Sequence, residues 1–158
     1  MAHPFYTGVF RMPKNETSLA IEGNQTTGAL LNGKNGLCVP ASQRSYRWKK
    51  EHVEALLNDI SDNLLEDEYF LGSVVTVNLT ATKMEVYDGQ QRLATTMVLI
   101  AAIRDAFLQI GSQEAKRLAG IVETNSMYSD KRTGGVIPHF ILNTNDQPFF
   151  LQSCNSPS

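Results

Sequence analysis

The stretch DGQQRLATTMVLIAAI, residues 88–103, begins with a small group of polar residues and continues as a mostly apolar run. It predicts a helix from about Gly89 to Ile110, and Gly111 is typical of a C-terminal stop. The middle of this helix is apolar on every side, which indicates a helix inside the core. Three long polar side chains at the start of a buried helix are hard to explain by packing alone.

Two interpretations of residues 88–92, called here the DGQQR box, stay open. In the first, the box is a helix cap, with Asp88 as the N-cap, Gln91 at N3 as in a capping box, and Gly89 easing the turn. In the second, the box binds an anion. Gly89 would let a ligand approach the backbone, and Arg92 would offer its guanidinium fork to phosphate. Asp88 would then need a divalent cation between its carboxylate and the phosphate.

Residues 43–50, QRSYRWKK, are called here the basic segment. In an extended conformation Arg44, Tyr46 and Trp48 point to one side, which places a cation between two aromatic rings. Such a surface can stack a nucleobase and neutralise a phosphate. The alternative is structural: both aromatic residues anchor the core ahead of a helix, and Lys49 and Lys50 are its solvated start. Taken alone, the segment favours this structural interpretation.

The rest of the pattern predicts an α+β fold in which a small mixed sheet packs with helices. The predicted helices cover 26–32, 51–66 and 112–122, and the predicted strands cover 37–39, 69–79, 84–87 and 139–142. We expect a poorly patterned N-terminal segment over 1–36, a single domain over 37–150 and a polar tail over 151–158.

Composition narrows the classes of function. The formal net charge of −2 provides no overall basic field, so any binding of nucleic acid must come from a local patch. Two cysteines and three scattered histidines show no spacing typical of metal ligands, and there is no Walker-type motif. The first ten residues lack the features of a signal peptide, and the run Met97–Ile103 is too short to cross a bilayer. We therefore expect a cytoplasmic protein without membrane contact.

Several motifs, taken in order along the chain, resemble the N-terminal domain of GmrSD-type restriction endonucleases. They are Pro40-x-x-Gln43-Arg44-x-Tyr46-x-Trp48, Leu57-x-Asp59-Ile60, Tyr69-Phe70-Leu71-Gly72-Ser73-Val74-Val75 and Asp88-Gly89-Gln90-Gln91-Arg92-Leu93-x-Thr95. The similarity covers about residues 37–110, with a looser fit at Ile141-Leu142-Asn143, Asp146 and Phe149-Phe150. The resemblance implies a ParB/sulfiredoxin-like fold and a prokaryotic defence protein that acts on foreign DNA.

The resemblance also implies that the DGQQR box binds, and possibly hydrolyses, a nucleoside triphosphate with Mg²⁺. By that analogy the catalytic residues are Asp88, Gln91 and Arg92, with Asp88 also holding the metal and Gln91 positioning a water. By the same analogy, the nucleotide-binding residues are Gly89, Gln90, Gln43 and Arg44. The residues implied to contact nucleic acid are Tyr46, Arg47, Trp48, Lys49 and Lys50. The alternative function is a DNA- or partner-binding module that lacks hydrolysis, and a third option is a degenerate remnant that folds poorly.

This sequence departs from the family pattern in two ways. Ser42 stands where the family often has an aromatic residue before Gln-Arg. The chain also lacks the further helices and the His-Asn-His-type nuclease domain of many members, so we expect an incomplete relative or one part of a split system. We expect uncovered apolar surface, and with it a homo-oligomer or a partner that carries the nuclease centre.

Overall fold

The computed structural model describes residues 5–12, 20–31, 36–66, 69–129 and 137–155. Its helices are α1 (Thr27–Leu31), α2 (Lys50–Asp62), α3 (Gln90–Ile110), α4 (Gln113–Ser126) and α5 (Gln147–Asn155). Its strands are β1 (Phe5–Met12), β2 (Ala20–Thr26), β3 (Gly36–Cys38), β4 (Tyr69–Thr80), β5 (Lys83–Asp88), β6 (Tyr128–Ser129), β7 (Ile137–Pro138) and β8 (Phe140–Ile141). The expected α+β class is confirmed, whereas the ParB-like assignment stays a prediction.

Six of these strands form one mixed sheet in the order β2-β1-β4-β5-β3-β8. β4 and β5 pair antiparallel across a tight turn, as the β-branched residues of β4 and the polar turn after it predict. Strand β1 runs parallel to β4, and β3 runs parallel to both β5 and β8. Strands β6 and β7 form a separate antiparallel ladder.

The core lies between this sheet and α3. One buried cluster joins Val74, Met84 and Val86 of the sheet with Leu93 and Met97 of α3. Full burial of an apolar side chain of this size stabilises a fold by about 1.5–3 kcal/mol. The position of α3, and therefore of the DGQQR box at its start, is set by apolar packing on the sheet.

Helix α5 is attached to the same core by an aromatic pair and by a hydrogen bond from the buried Arg104, which also forms an ion pair within α3. The rings of Phe140 and Phe150 meet edge to face, with their centroids 5.8 Å apart. The Arg104 guanidinium lies 2.7 Å from the Asp105 carboxylate, and its Nη1 donates a 2.6 Å hydrogen bond to the carbonyl oxygen of Cys154. Because both charged groups are buried, loss of either would leave an uncompensated charge in the core.

Two stretches differ from the sequence-based expectation. Strands β1 and β2 lie within residues 1–36, where we predicted little regular structure apart from a short helix. Strand β2 is an edge strand with a largely polar sequence, and main-chain pairing to β1 does not require an apolar pattern. Helix α5 extends to Asn155, into the region that we expected to be a polar tail, and Cys154 is buried there. The expected domain boundaries stay predictions.

Helix α3 is buried in its first half but not along its whole length. Residues 93–97 are buried, whereas Val98, Ile103 and Ile110 are exposed. By length and composition alone the helix would be able to cross a membrane. Its packing against α4 and α5 and its buried ion pair are instead typical of the core helix of a globular domain.

Gly72 allows the side chain of Arg92 to lie against β4. Its φ is +117°, and a Cβ atom there would stand 2.5 Å from Cζ of Arg92. We expect Gly72→Ala to lower the free energy of unfolding by about 1–3 kcal/mol, since it adds both backbone strain and a steric clash. Gly120→Ala is the matched control: a Cβ at this position in α4 would have no neighbour within 4 Å, and we expect a gain of about 0.5–1 kcal/mol. Urea unfolding measures the free energy of unfolding of each variant. An equal change at the two sites would contradict the packing of Arg92 on Gly72.

Candidate functional site

Helix α3 begins at Gly89, and no side chain caps it. Gly89 is the N-cap, with a φ of 85°, while Asp88 is the last residue of β5. The capping box predicted from Asp88 and Gln91 is therefore wrong. A Cβ at Gly89 would lie 2.9 Å from Cγ2 of Val74 and 3.0 Å from the carbonyl oxygen of Ser73. Gly89 thus serves the close packing of the turn on β4.

The buried Gln91 side chain joins α3 to the basic segment. Its Oε1 accepts hydrogen bonds from the backbone N–H groups of Arg47 at 2.7 Å and Trp48 at 3.3 Å. Its Nε2 donates to the carbonyl oxygen of Ser45 at 3.4 Å. The carboxamide therefore satisfies backbone groups that have no regular secondary structure of their own. This engagement explains why a long polar side chain is buried at a helix start.

Gln90 makes a second link between the two motifs. Its side chain is 6% exposed, and its Nε2 donates to Oε1 of Gln43 at 3.4 Å. The DGQQR box and the basic segment, which the sequence indicated separately, are therefore neighbours in the fold. The backbone N–H groups of residues 90–92 form the first turn of α3 and have no acceptor within the helix. They give this end of the helix a partial positive charge.

The aromatic residues of the basic segment are engaged with protein groups. The hydroxyl of Tyr46 lies 2.8 Å from Oγ1 of Thr95, which itself donates to the carbonyl oxygen of Gln91. The half-buried Trp48 ring stacks on His52, with the ring planes 22° apart. Both residues therefore contact neighbouring helices, but neither belongs to the buried core cluster, and Tyr46 is 36% exposed.

The basic side chains around these aromatic residues face solvent. Arg44, Arg47, Lys49 and Lys50 are all exposed. The Lys50 ammonium lies 3.3 Å from a carboxylate oxygen of Glu54, a surface pair that contributes little to stability. A chain with a formal net charge of −2 therefore carries a local positive patch beside the start of α3.

Arg92 is half-buried and its charge has no close acidic partner in the described part of the chain. Its Nη1 donates to the carbonyl oxygen of Ser73 at 3.2 Å, and the ion pairs among the described residues do not include it. Burial raises the pKa of Tyr69, and the charge of Asp59 and a hydrogen bond to it act in the same direction, whereas the Arg92 charge opposes them. Besides the donor given to Ser73, the guanidinium has further N–H donors.

Asp88 presents a single exposed carboxylate at the end of β5. No group of three or more potential metal-ligating side chains lies among the described residues. Mg²⁺ commonly takes one or two protein carboxylates and completes its shell with phosphate oxygens and water. The donor set at Asp88 is compatible with an ion bound in this way and does not form a complete protein cage.

The sequence did not single out the turn before α5 as part of the site. The Tyr46 N–H donates to Oδ2 of Asp146 at 2.6 Å, and Nδ2 of Asn143 donates to the carbonyl oxygen of Gln43 at 3.3 Å. An Asn and an Asp just ahead of a helix are a typical start signal, which was available but pointed only to local structure. Beside this turn lies a largely apolar groove of about 420 Å³. Its lining residues are Tyr46, Val53, Ala94, Thr95, Val98, Leu142, Asp146, Phe149 and Phe150.

The fold and this geometry define a small α+β domain with a cationic helix start beside a basic segment. A family model described as the GmrSD restriction endonuclease, N-terminal domain, matches residues 27–154. The chain belongs to this family, as its motifs predicted, and it is therefore a module of a restriction or defence system. The matched region runs from α1 into α5, whereas β1 and β2 precede it. Among proteins with curated descriptions there is no match.

Replacement of Gln91 by the isosteric Met tests the link between α3 and the basic segment. Gln91→Met leaves the N–H groups of Arg47 and Trp48 without their acceptor, and loss of each of these partly buried hydrogen bonds costs about 0.5–1.5 kcal/mol. We expect a lower free energy of unfolding and faster hydrogen exchange at those two amides. Gln109→Met, an exposed position on the same helix, is the control and should change stability by less than about 0.5 kcal/mol. Unchanged exchange at both amides in Gln91→Met would show that the link is not maintained in solution.

Proposed function

We propose that this module binds the phosphates of a nucleoside triphosphate at the start of α3 and hydrolyses the nucleotide. The observation that supports this most strongly is the charge of Arg92, which stands beside the first turn of α3 without a close carboxylate among the described residues. A guanidinium with unused donors and the N–H groups of a helix start are both suited to phosphate oxygens.

The residues around Arg92 have separate roles in this proposal. Arg92 binds phosphate oxygens and neutralises the charge that grows on them during transfer. Arg44, exposed on the basic segment, contributes a second cation. The linked carboxamides of Gln90 and Gln43 hold the two motifs side by side and offer amide groups to the nucleotide. Gly89 allows the turn that brings this helix start against β4.

Gln91 has a different role from the one that the family resemblance implied. Both ends of its carboxamide are engaged by the basic segment, through Arg47, Trp48 and Ser45. In the proposal it positions the segment and does not orient the attacking water.

Asp88 would hold Mg²⁺ through its exposed carboxylate. When bound, the ion would supply positive charge between this carboxylate and the phosphates, which would otherwise repel each other. A carboxylate directly before a phosphate-binding helix start is consistent with this role.

We also propose that the module acts on DNA in the cytoplasm, together with a nuclease centre on a partner or with a second copy of itself. The large apolar side chains exposed on the surface support such a contact, among them Ile103 and Ile110 of α3 and Phe149 of α5. The ParB-like fold belongs to the same proposal.

Release of inorganic phosphate from a Mg²⁺–nucleotide tests the hydrolysis. We expect Arg92→Ala to reduce the rate by about a hundredfold, the usual effect of removing one preorganised donor from developing charge. Arg117→Ala is the control, since Arg117 is exposed on α4 and pairs with Glu114 at 2.6 Å. Thermal unfolding of each variant separates lost chemistry from lost folding. Equal rates for wild type and Arg92→Ala would exclude the proposed site.

A second candidate function, a binding module for DNA without hydrolysis, is favoured by the four exposed cations of the basic segment, Arg44, Arg47, Lys49 and Lys50. It predicts that binding to duplex DNA weakens steeply with salt and is unchanged by added nucleotide. We expect Arg47→Ala to reduce the slope of log K against log salt by about 1. Fluorescence anisotropy of labelled duplex DNA measures the binding constant at each salt concentration. Arg117→Ala is the control and should leave the slope unchanged. Binding that does not depend on salt would count against this function.

A further inference from the structure

The basic segment is held by two elements of the fold. One is α3, through Gln91 and through the Tyr46 hydroxyl, which is 2.8 Å from Oγ1 of Thr95. The other is the turn before α5. There the Tyr46 N–H donates to Oδ2 of Asp146 at 2.6 Å, and Nδ2 of Asn143 donates to the Gln43 carbonyl oxygen. Tyr46 is therefore fixed at both its backbone and its hydroxyl.

The turn that provides the second anchor is itself rigidly built. The Asp146 N–H donates to Oδ1 of Asn143 at 3.1 Å, and the N–H of Gln147 donates to the Asn143 carbonyl oxygen at 3.0 Å. The Phe150 N–H then donates to the carbonyl oxygen of Asp146 at 3.0 Å, which begins α5. Since α5 is held to the core by its aromatic and Arg104 contacts, the anchor is connected to the whole domain.

The charge of Asp146 gives a reason to look for a specific role. A carboxylate near a phosphate-binding surface weakens the attraction for an anion, so electrostatics alone would disfavour an acid at this position. Asp146 accepts a short, charge-assisted hydrogen bond from the backbone N–H of Tyr46. Tyr46 lies in the chain between the exposed Arg44 and Arg47.

We propose that Asp146, supported by Asn143, is a positioning residue for the basic segment. It fixes the backbone at Tyr46 and thereby sets the directions in which Arg44 and Arg47 leave the surface. Asp146 does not touch the nucleotide or DNA. This inference rests on the proposed function insofar as those two arginines are ligand contacts, while the anchoring itself can be measured without any ligand.

Trp48 provides the readout of the segment, because it is the single tryptophan of the chain and lies two residues from Tyr46. Acrylamide quenching of its fluorescence, far below the unfolding midpoint, reports how well the segment is held. We expect Asp146→Ala to increase the quenching constant and to weaken binding of a Mg²⁺–nucleotide by about tenfold, as for the loss of one anchoring hydrogen bond. Asp146→Asn keeps an acceptor for the Tyr46 N–H and should restore both values to near those of wild type.

Asp62→Ala, an exposed acid at the end of α2, is the control and should change neither value. If Asp146→Ala does not fold, Asn143→Leu removes the side-chain bonds of Asn143 to the Gln43 carbonyl oxygen and to the Asp146 N–H, and it should also raise the quenching. Unchanged quenching in the folded variants, or an Asp146→Asn protein that behaves like Asp146→Ala, would overturn the proposal. A wild type that binds neither nucleotide nor DNA would remove the proposed function, while a rise in quenching that Asp146→Asn reverses would still establish the anchor.

Discussion

The hydrogen bonds from the backbone of Arg47 and Trp48 to the buried Gln91 carboxamide connect the two halves of the candidate site. Residues 44–49 of the basic segment have no regular secondary structure, so their N–H groups need acceptors from elsewhere, and each such hydrogen bond contributes about 0.5–1.5 kcal/mol. Gln91 provides that acceptor from a helix fixed by the core. Gln91 thereby helps to set the position of the exposed cations relative to α3, together with the bonds of Tyr46 to Thr95 and Asp146.

Two glycines give the helix start its place on the sheet. Gly89 allows the turn from β5 into α3 to lie against Ser73 and Val74, and Gly72 leaves the space that the Arg92 guanidinium occupies. Arg92 is thereby held at the surface of β4 by a hydrogen bond to the carbonyl oxygen of Ser73. A cation fixed in this way loses little conformational entropy when it binds an anion.

Much of the central fold was predictable from the sequence, because β4, β5 and α3 carry strong local signals. Val74 and the other β-branched residues predict β4, and Gly111 ends α3 in the left-handed conformation that favours glycine. Strand β2 was missed because an edge strand is held by main-chain pairing and needs no apolar pattern. The hydrogen bond from Arg104 that holds α5 was not predictable either, because its acceptor is the carbonyl oxygen of Cys154, 50 residues away.

The sequence pointed to the two motifs that form the candidate site, but it did not predict the contacts that their residues make. The polar start of α3 and the basic segment were identified, and the structure brings Gln90 and Gln43 together. The sequence did not predict which of these side chains are bonded within the protein. Gln91 and Tyr46 form hydrogen bonds to other parts of the domain, and Asp146 accepts one from a backbone group 100 residues away. Sequence spacing reports which side chains are polar, but it does not report which of them the folded chain already satisfies.

The most direct measurement is a titration of ¹⁵N-labelled protein with a Mg²⁺–nucleotide, followed by the backbone N–H signals of residues 90–92 and the guanidinium signal of Arg92. We expect these signals to shift together and to saturate, with the shifts centred on the start of α3. Saturable shifts that leave Arg92 and this first helical turn unchanged would contradict a phosphate site there.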